Sequence, residues 1–155
     1  MTQIEGVVAQ AKSQLGYKEG ANNDTMYGKW YGLNHQPWCA MFVSWCFNEH
    51  GESLKIAAQT KKGFASCDLG LKWFAKRGKL IPVGQAQSGD IVFYQFDNDS
   101  APDHVGIIKG NNKTLKYVYA YEGNTSGDSK GSQSNGGGVY LKKRGYGTIM
   151  AVVRP

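Results

Sequence analysis

An α+β fold is predicted for this chain, with N-terminal helices packed on an antiparallel sheet or half-barrel of five to six strands. Apolar residues recur with helical spacing in the first half of the chain and alternate like strand residues after Gly89. Helices that precede strands, instead of alternating with them, are typical of α+β proteins. The length of 155 residues suits one domain, so residues 1–155 are expected to fold as a single unit.

The first helix is predicted to begin directly after Thr2. Thr2 and Glu5 fit a capping box, and Gly16 fits the position just past the helix end. Residues 17–36 are rich in Gly, Asn and Tyr and are predicted to form a loop.

Two further helices are predicted before the strands begin. One runs from Pro37 to His50, because proline suits the first turn of a helix and glycine follows its end. The other runs from its N-cap Ser66 to Arg77, where a glycine stops it. Five later segments have a strand-like pattern and are bounded by turn residues, so they are predicted strands, at residues 90–96, 104–109, 115–121, 138–144 and 148–154. The polar segment 123–137 is predicted to be a loop.

The charge of the chain favours anionic partners. Its net charge is +6, and the stretch from Lys55 to Lys79 is strongly basic. Nucleic acid and an anionic cell-wall polymer are both candidates, but no nucleic-acid motif accompanies the charge. The N-terminus lacks the features of a secretory signal, and no apolar run approaches about 18 residues. We therefore expect synthesis in the cytoplasm, with neither nucleic acid nor a membrane as partner.

The three cysteines do not form a metal-binding pattern. Cys39, Cys46 and Cys67 have no zinc-ligand spacing, and Cys39 and Cys46 would lie about 10 Å apart along one helix, too far for a disulfide. Cys39 falls in the first turn of its predicted helix, where a thiol's pKa is lowered and the side chain becomes a nucleophile. The alternative is that it packs as a small hydrophobe, which is the interpretation given to Cys46 and Cys67.

A thiol nucleophile needs a base and a group that orients the base. His50 would lie about 16 Å from Cys39 along the helix, too far to serve. His104 stands where a polar break enters a predicted strand and can face a cleft, although a lone histidine there is more often structural. Glu122 and Asn124 follow at the end of the next predicted strand, where a carboxylate can hold the imidazole tautomer.

The register of the hairpin decides whether His104 and Glu122 can meet. A three-residue loop at 111–113 would pair Gly110 with Thr114 and place His104 opposite Ala120. Glu122 would then be a diagonal neighbour of His104 on the same face. A loop of two or four residues would put these two side chains on opposite faces.

Together, the segments "PWCAMFVSWC", "GDIVFY", "DHVGIIKG" and "YEGN" resemble the CHAP family of cysteine- and histidine-dependent amidohydrolases and peptidases. The upstream "YGKWYGLN" is similar to the segment before the cysteine in CHAP domains of bacteriophage endolysins. The resemblance implies a papain-like (NlpC/P60-type) fold and hydrolysis of amide bonds in peptidoglycan. It implies Cys39 as nucleophile, His104 as base, Glu122 as orienting acid and Asn124 as a fourth polar residue.

The remaining site residues are weaker candidates. The Cys39 N–H is one expected oxyanion donor, and Gln36 or Asn34 would supply the second. Trp30 and Tyr31 are expected to line the substrate groove. No cofactor or metal is predicted, because the upstream loop with Glu19, Asn22 and Asp24 is short of the carboxylates that calcium prefers.

The sequence does not identify which amide bond is cleaved. An N-acetylmuramoyl-L-alanine amidase and a peptidoglycan endopeptidase need the same groups, and either activity would lyse the host cell. The alternatives are a non-catalytic wall-binding module on a hydrolase-like fold and a cytosolic thiol protease or acyltransferase. We expect a monomer that acts on the cell wall, either alone or as part of a longer lysin.

Overall fold

The computed structural model describes residues 2–155 and has the predicted α+β class. Four α-helices precede one open, antiparallel six-stranded sheet of order β1-β6-β2-β3-β4-β5. The helices are α1 (Gln3–Ser13), α2 (Met26–Tyr31), α3 (Cys39–Asn48) and α4 (Cys67–Lys76); the strands are β1 (Leu80–Ile81), β2 (Ile91–Tyr94), β3 (His104–Asn112), β4 (Tyr117–Thr125), β5 (Gly138–Gly145) and β6 (Ile149–Val153). None of these helices is long and apolar enough to cross a bilayer.

Helix caps place the first and last helices where the sequence predicts them. The Thr2 hydroxyl accepts the Glu5 N–H and the Glu5 carboxylate accepts the Thr2 N–H, which completes the predicted capping box. At α4, the Ser66 hydroxyl accepts the Leu69 N–H. These caps act through neighbouring residues only, so a local pattern is enough to find them.

Helix α3 begins later than predicted, at Cys39 instead of Pro37. Its N-cap is Trp38, which makes no side-chain capping bond. Cys39 is therefore the first helical residue. The N–H groups of a first helical turn have no acceptor within the helix, so this start leaves the backbone N–H of Cys39 available to a ligand.

Two short elements escaped the prediction. Helix α2 lies inside the segment predicted to be a loop, where the Thr25 hydroxyl caps it by accepting the Gly28 N–H. Its six residues are too few to show a helical period. Strand β1 has only two residues and pairs with the end of β6.

The sheet separates a large core from a small one. The helices cover one face, where Phe42 of α3 and Ile107 of β3 belong to the same buried cluster. A smaller cluster, with Ile108 and Ala120, lies on the other face. Strand alternation puts His104 and Glu122 on this second face, near the end of the sheet.

The hairpin between β3 and β4 does not have the predicted register. Asn112 pairs with Tyr117, so the loop at 113–116 has four residues instead of three. Gly110 pairs with Tyr119 and not with Thr114. The predicted pairing at the hairpin tip is therefore wrong.

A β-bulge at Lys109 corrects the consequence of this longer loop. Beyond the bulge, Ile108 pairs with Ala120, so the predicted pairing of His104 with Ala120 is also wrong. The extra residue on β3 changes the register by one, which exchanges the faces of all residues that follow. As a result, His104 and Glu122 share a face, as predicted, but for a different reason.

Candidate active site

Cys39 lies at the N-terminus of α3, where the helix packs on β3 and β4. Its side chain is 5% exposed, and the partial positive charge of the helix terminus favours a thiolate there. Its Sγ lies 3.7 Å from the Sγ of Cys67, the first residue of α4. The sequence assigned Cys67 to packing, but the structure places it against the candidate nucleophile.

His104 begins β3 and is completely buried. Its Nε2 lies 2.9 Å from Oε1 of Glu122, which is the predicted contact. The rings of Tyr94 and Phe96 lie alongside the imidazole, with centroids 5.8 and 6.0 Å away. Within residues 2–155, the buried Nδ1 has no hydrogen-bond partner. The carboxylate therefore occupies one ring nitrogen and leaves Nδ1 available to the thiol.

The charges of the site support one another. Contact with the Cys67 thiol, and then with His104, holds the pKa of Cys39 well below its ordinary value despite burial. Burial opposes a charged imidazole, but the Glu122 carboxylate and the Cys39 sulfur raise the pKa of His104 to about 9. Burial also opposes the carboxylate charge, and the cations of His104 and Arg144 lower the pKa of Glu122 against it. The pKa of each of these three groups is thus shifted toward its charged form by its neighbours.

Arg144 of β5 is a site residue that the sequence analysis missed. Its Nε donates to Oε1 and Oε2 of Glu122 at 3.2 and 3.1 Å. In the sequence it ends the basic run "LKKR", which is typical of a solvated strand end. The available signal was Glu122 itself, because a carboxylate at a buried strand position needs a cationic partner.

Asn124 is buried beside Glu122 but does not bond to the imidazole. Its Nδ2 lies 3.3 Å from both the Ser134 carbonyl oxygen and Oδ1 of Asn135. Its φ of 58° lies in the left-handed region, which asparagine tolerates better than most residues. Asn124 therefore anchors the loop after β4, whereas Glu122 contacts His104.

The two candidate oxyanion donors differ in how far their amides are already used. Asn34 accepts the Thr25 N–H at 3.0 Å and donates to Asp24 at 2.7 Å. Gln36 is exposed and lines a cavity of about 360 Å³ beside the start of α3. Only Gln36 thus has an amide free to turn toward a substrate.

The two aromatic residues expected in the groove lie on α2. Trp30 is half-buried, and the Lys62 ammonium lies 5.4 Å from its ring centroid. Tyr31 belongs to the helix-side core, and its burial does not support a role in a groove.

The other two histidines lie away from the thiol. Nδ1 of His35 contacts the Asn22 carbonyl oxygen at 2.9 Å. Nε2 of His50 contacts Oε1 of Gln10 at 3.2 Å, near the far end of α3. His104 is the histidine that shares a site with Cys39.

A group of acidic residues precedes β3. Carboxylate oxygens of Asp97, Asp99 and Asp103 lie within 4.8 Å of one another, close enough to bind a cation. Two of them are exposed, and Asp103 already accepts the Phe96 N–H at 2.6 Å. In the upstream loop considered from the sequence, Asp24 is paired with Lys29 and Asn34.

Comparison with known proteins agrees with this site. No curated protein sequence matches the chain. The family model of the CHAP domain matches residues 30–124, from α2 to the end of β4, and this range includes Cys39, His104 and Glu122. The chain therefore belongs to the CHAP family, whose domains are peptidoglycan hydrolases of the amidase and peptidase type.

Proposed function

We propose that this protein hydrolyses an amide bond of bacterial peptidoglycan by acyl transfer through Cys39. The observation that carries the proposal is the 2.9 Å contact between His104 and Glu122, in a buried site where thiol and imidazole shift each other's pKa. An oriented base beside an activated thiol is the arrangement that nucleophilic catalysis requires. The bond is either the amide between sugar and peptide or a peptide bond of the stem or cross-bridge.

The mechanism begins with attack of the Cys39 thiolate on the amide carbonyl carbon. His104 then donates its proton to the leaving nitrogen, the C–N bond breaks, and a thioester remains. A water molecule gives a proton to His104 as it attacks the thioester, which releases the acid and restores the Cys39 thiolate beside a protonated His104. Glu122 keeps the imidazole in one orientation and stabilises its positive charge throughout.

The oxyanion is proposed to form at the start of α3. The free N–H of Cys39 is one donor, and the side-chain amide of Gln36 is the second. The adjacent cavity would hold the substrate near the thiol; besides Gln36, its lining includes Leu33, Pro37, Met41, Gln59, Ala65 and Ser66. Its mixed apolar and amide lining suits a short peptide with small side chains.

We propose further that residues 1–155 act as one monomeric catalytic domain on the cell wall after synthesis in the cytoplasm. The resemblance to phage endolysins supports a role in lysis of a host cell. Basic residues around α4, such as Lys76 and Lys79, would hold the enzyme on anionic wall polymers.

Purified Gram-positive cell walls provide the test. The wild type should clear a wall suspension, whereas Cys39→Ser should not. Mass spectrometry of the fragments then names the bond: an amidase frees the lactyl carboxyl of the sugar, and an endopeptidase creates a new amino terminus within the peptide. Binding without products would indicate a wall-binding module. Hydrolysis of soluble peptides without action on walls would indicate a thiol protease or acyltransferase.

A further inference from the structure

We propose that Arg144 is a positioning residue that keeps Glu122 charged and aligned on His104; this inference rests on the proposed function of the same site. Glu122 is 0% exposed and Arg144 is 8% exposed, so the pair is shielded from water. In such a place a carboxylate stays charged only if its oxygens are well paired.

Arg144 controls the orientation of the carboxylate because it holds both oxygens. Oε1 is shared between His104 and the guanidinium, and Oε2 accepts from Nε of Arg144 at 3.1 Å. Rotation of the carboxyl group would break this two-point contact. The imidazole therefore meets an acceptor whose direction is already fixed.

The surroundings of Arg144 fix the guanidinium in turn. It lies 5.4 and 5.1 Å from the ring centroids of Tyr94 and Phe96, the same two rings that lie alongside His104. Its Nη1 donates to Oε1 of Gln133 at 2.9 Å. By contrast, the ammonium of Lys142 on the same strand donates to the Ser126 carbonyl oxygen. Lys142 is thus not placed to substitute for Arg144.

The test is a double-mutant cycle between Arg144→Gln and Glu122→Gln. The readouts are wall lysis and the rate at which iodoacetamide alkylates Cys39, followed by peptide mass spectrometry. Arg144→Gln should lower lysis about 10²-fold through loss of alignment, and Arg144→Lys should restore part of it. If Arg144 acts through Glu122, the double variant should lose no more than Glu122→Gln alone.

A matched control is Arg154→Gln, which removes a similar two-point contact with buried Asp90, at 2.9 Å for each bond. It should leave both readouts unchanged. The proposal is overturned if the losses of Arg144→Gln and Glu122→Gln add, or if Arg144→Gln reacts like the wild type.

If circular dichroism shows that Arg144→Gln does not fold, Arg144→Lys and the double variant provide the test of the proposal. Unchanged lysis and alkylation in Arg144→Lys would then contradict a need for two-point alignment, as would a double variant less reactive than Glu122→Gln. Alkylation needs no wall substrate. If Cys39 of the wild type is alkylated rapidly but the protein does not lyse walls, the proposed function is refuted. The double-mutant cycle can still be measured from the alkylation rates.

The contact between Cys39 and Cys67 carries a second, independent inference. We infer that Cys67 is a resolving thiol that converts an oxidised Cys39 into a reversible Cys39–Cys67 disulfide. Both are free thiols, their sulfurs are 3.7 Å apart, and they begin two different helices. A disulfide needs about 2.05 Å between the sulfurs, so its formation requires the two sulfurs to move closer from their present 3.7 Å.

The oxidant in this reaction is a peroxide. The Cys39 thiolate attacks one oxygen of hydrogen peroxide, the O–O bond breaks, and a sulfenic acid and hydroxide form. The Cys67 sulfur then attacks the Cys39 sulfur, and the hydroxyl group leaves with the Cys67 proton as water. Two electrons pass from the thiols to the peroxide. A dithiol restores both cysteines by exchange.

The experiment treats the wild type, Cys67→Ala and Cys46→Ala with hydrogen peroxide and then with dithiothreitol. In the wild type and in Cys46→Ala, peptide mapping without reductant should find the Cys39–Cys67 link, and reductant should restore alkylation of Cys39. In Cys67→Ala, excess peroxide should carry Cys39 to the sulfinic acid, which reductant does not reverse.

Two results would overturn this inference: absence of the linked peptide from the oxidised wild type, or equal recovery of Cys39 in the wild type and Cys67→Ala after the same fraction of Cys39 has been oxidised. Because the readout is the chemical state of Cys39, it does not depend on the substrate of the enzyme.

Discussion

A cysteine and a histidine lie near each end of α3, but the surroundings of the two thiols differ. At the N-terminal end, Cys39 lies with His104, and the pKa of the thiol is held well below its ordinary value. At the C-terminal end, Cys46 is fully buried and His50 stands just past the helix. There, burial, and then the nearby charge of Glu49, raise the pKa of the Cys46 thiol.

The difference indicates that burial without a compensating partner raises the pKa of a thiol and so disfavours its nucleophilic form. Both cysteines are buried, so desolvation opposes a thiolate at each end of the helix. The N-terminal end overcomes this cost through the contact with Cys67, the oriented imidazole and the helix terminus. Reactivity thus depends on the partners that a buried thiol receives.

Substitution of each of the two cysteines in turn should show the largest difference in lysis. Cys39→Ser is expected to abolish wall lysis while the fold remains, because a serine hydroxyl stays protonated where the thiol ionises. Cys46→Ala should keep full lysis and lose about 1 kcal/mol of stability. Turbidity assays and thermal unfolding of both variants measure this. A lytic Cys39→Ser protein would contradict the assignment of the nucleophile.

Changes at Glu122 should remove much of the difference between the two ends. Glu122→Gln keeps an acceptor without the charge, and Glu122→Ala loses both. Each is expected to lower the rate of lysis by about 10²–10⁴, as the acids of catalytic triads do. Asp90→Asn breaks another buried carboxylate–arginine pair, away from the site, and should leave the rate unchanged. A Gln variant far more active than the Ala variant would show that the charge matters little.

The dependence on pH should also distinguish the thiols at the two ends of α3. Lysis should fall as the pH rises through about 9, because His104 then loses the proton that the leaving amine needs. It should fall in acid as the Cys39 thiolate is protonated. In Glu122→Gln the imidazolium loses its counter-ion, so the alkaline limb should move to lower pH. Initial lysis rates and residue-specific alkylation across the pH range measure this, with Cys46 alkylated slowly until strongly alkaline pH.

Variants of Asn124 should have a smaller effect. Asn124→Ala is expected to cost about tenfold in rate, because it removes the two long, neutral hydrogen bonds that hold the loop after β4. The left-handed φ of 58° adds strain to the alanine, so Asn124→Gly is the matched variant that relieves it. Lysis rates and thermal unfolding of both separate the two causes. If Asn124 contacted the imidazole, both variants would also move the pH profile.

Salt should have the smallest effect and should leave the thiol chemistry untouched. Lysis is expected to weaken several-fold by about 0.3 M salt, because salt screens the attraction of the basic region to wall polymers. Alkylation of Cys39 should stay flat over the same range, since the site is buried. Lys76→Gln with Lys79→Gln should reduce the salt dependence. A flat lysis profile would exclude an electrostatic contribution to wall binding.

Sequence patterns predicted those features that depend on neighbouring residues. The caps at Thr2 and Ser66 and the α+β order follow from local spacing. The contact between His104 and Glu122 was predicted from strand alternation, although the predicted register was wrong. Local patterns predict well which face of the sheet a side chain lies on, but they do not determine which residues of neighbouring strands pair with each other.

The features that the sequence missed depend on contacts between distant elements. Arg144 reaches Glu122 across β4 and β5, and Cys67 meets Cys39 where two helices begin. Neither residue has a distinctive neighbourhood in the chain. The bulge at Lys109 was not predicted for the same reason: an extra residue in a strand can be recognised only when its pairing with the neighbouring strand is known.

The bulge also determines where related chains can differ in length. It divides the hairpin into an outer part, between Ile108 and Ala120, and an inner part that holds His104 and Glu122. One residue gained or lost in the outer part can be absorbed as the bulge disappears or a new one forms. The same change between His104 and Ile108 would send the imidazole of His104, the proposed base, to the wrong face. In an evolutionary record of this hairpin, single-residue insertions and deletions should therefore fall only in the outer part.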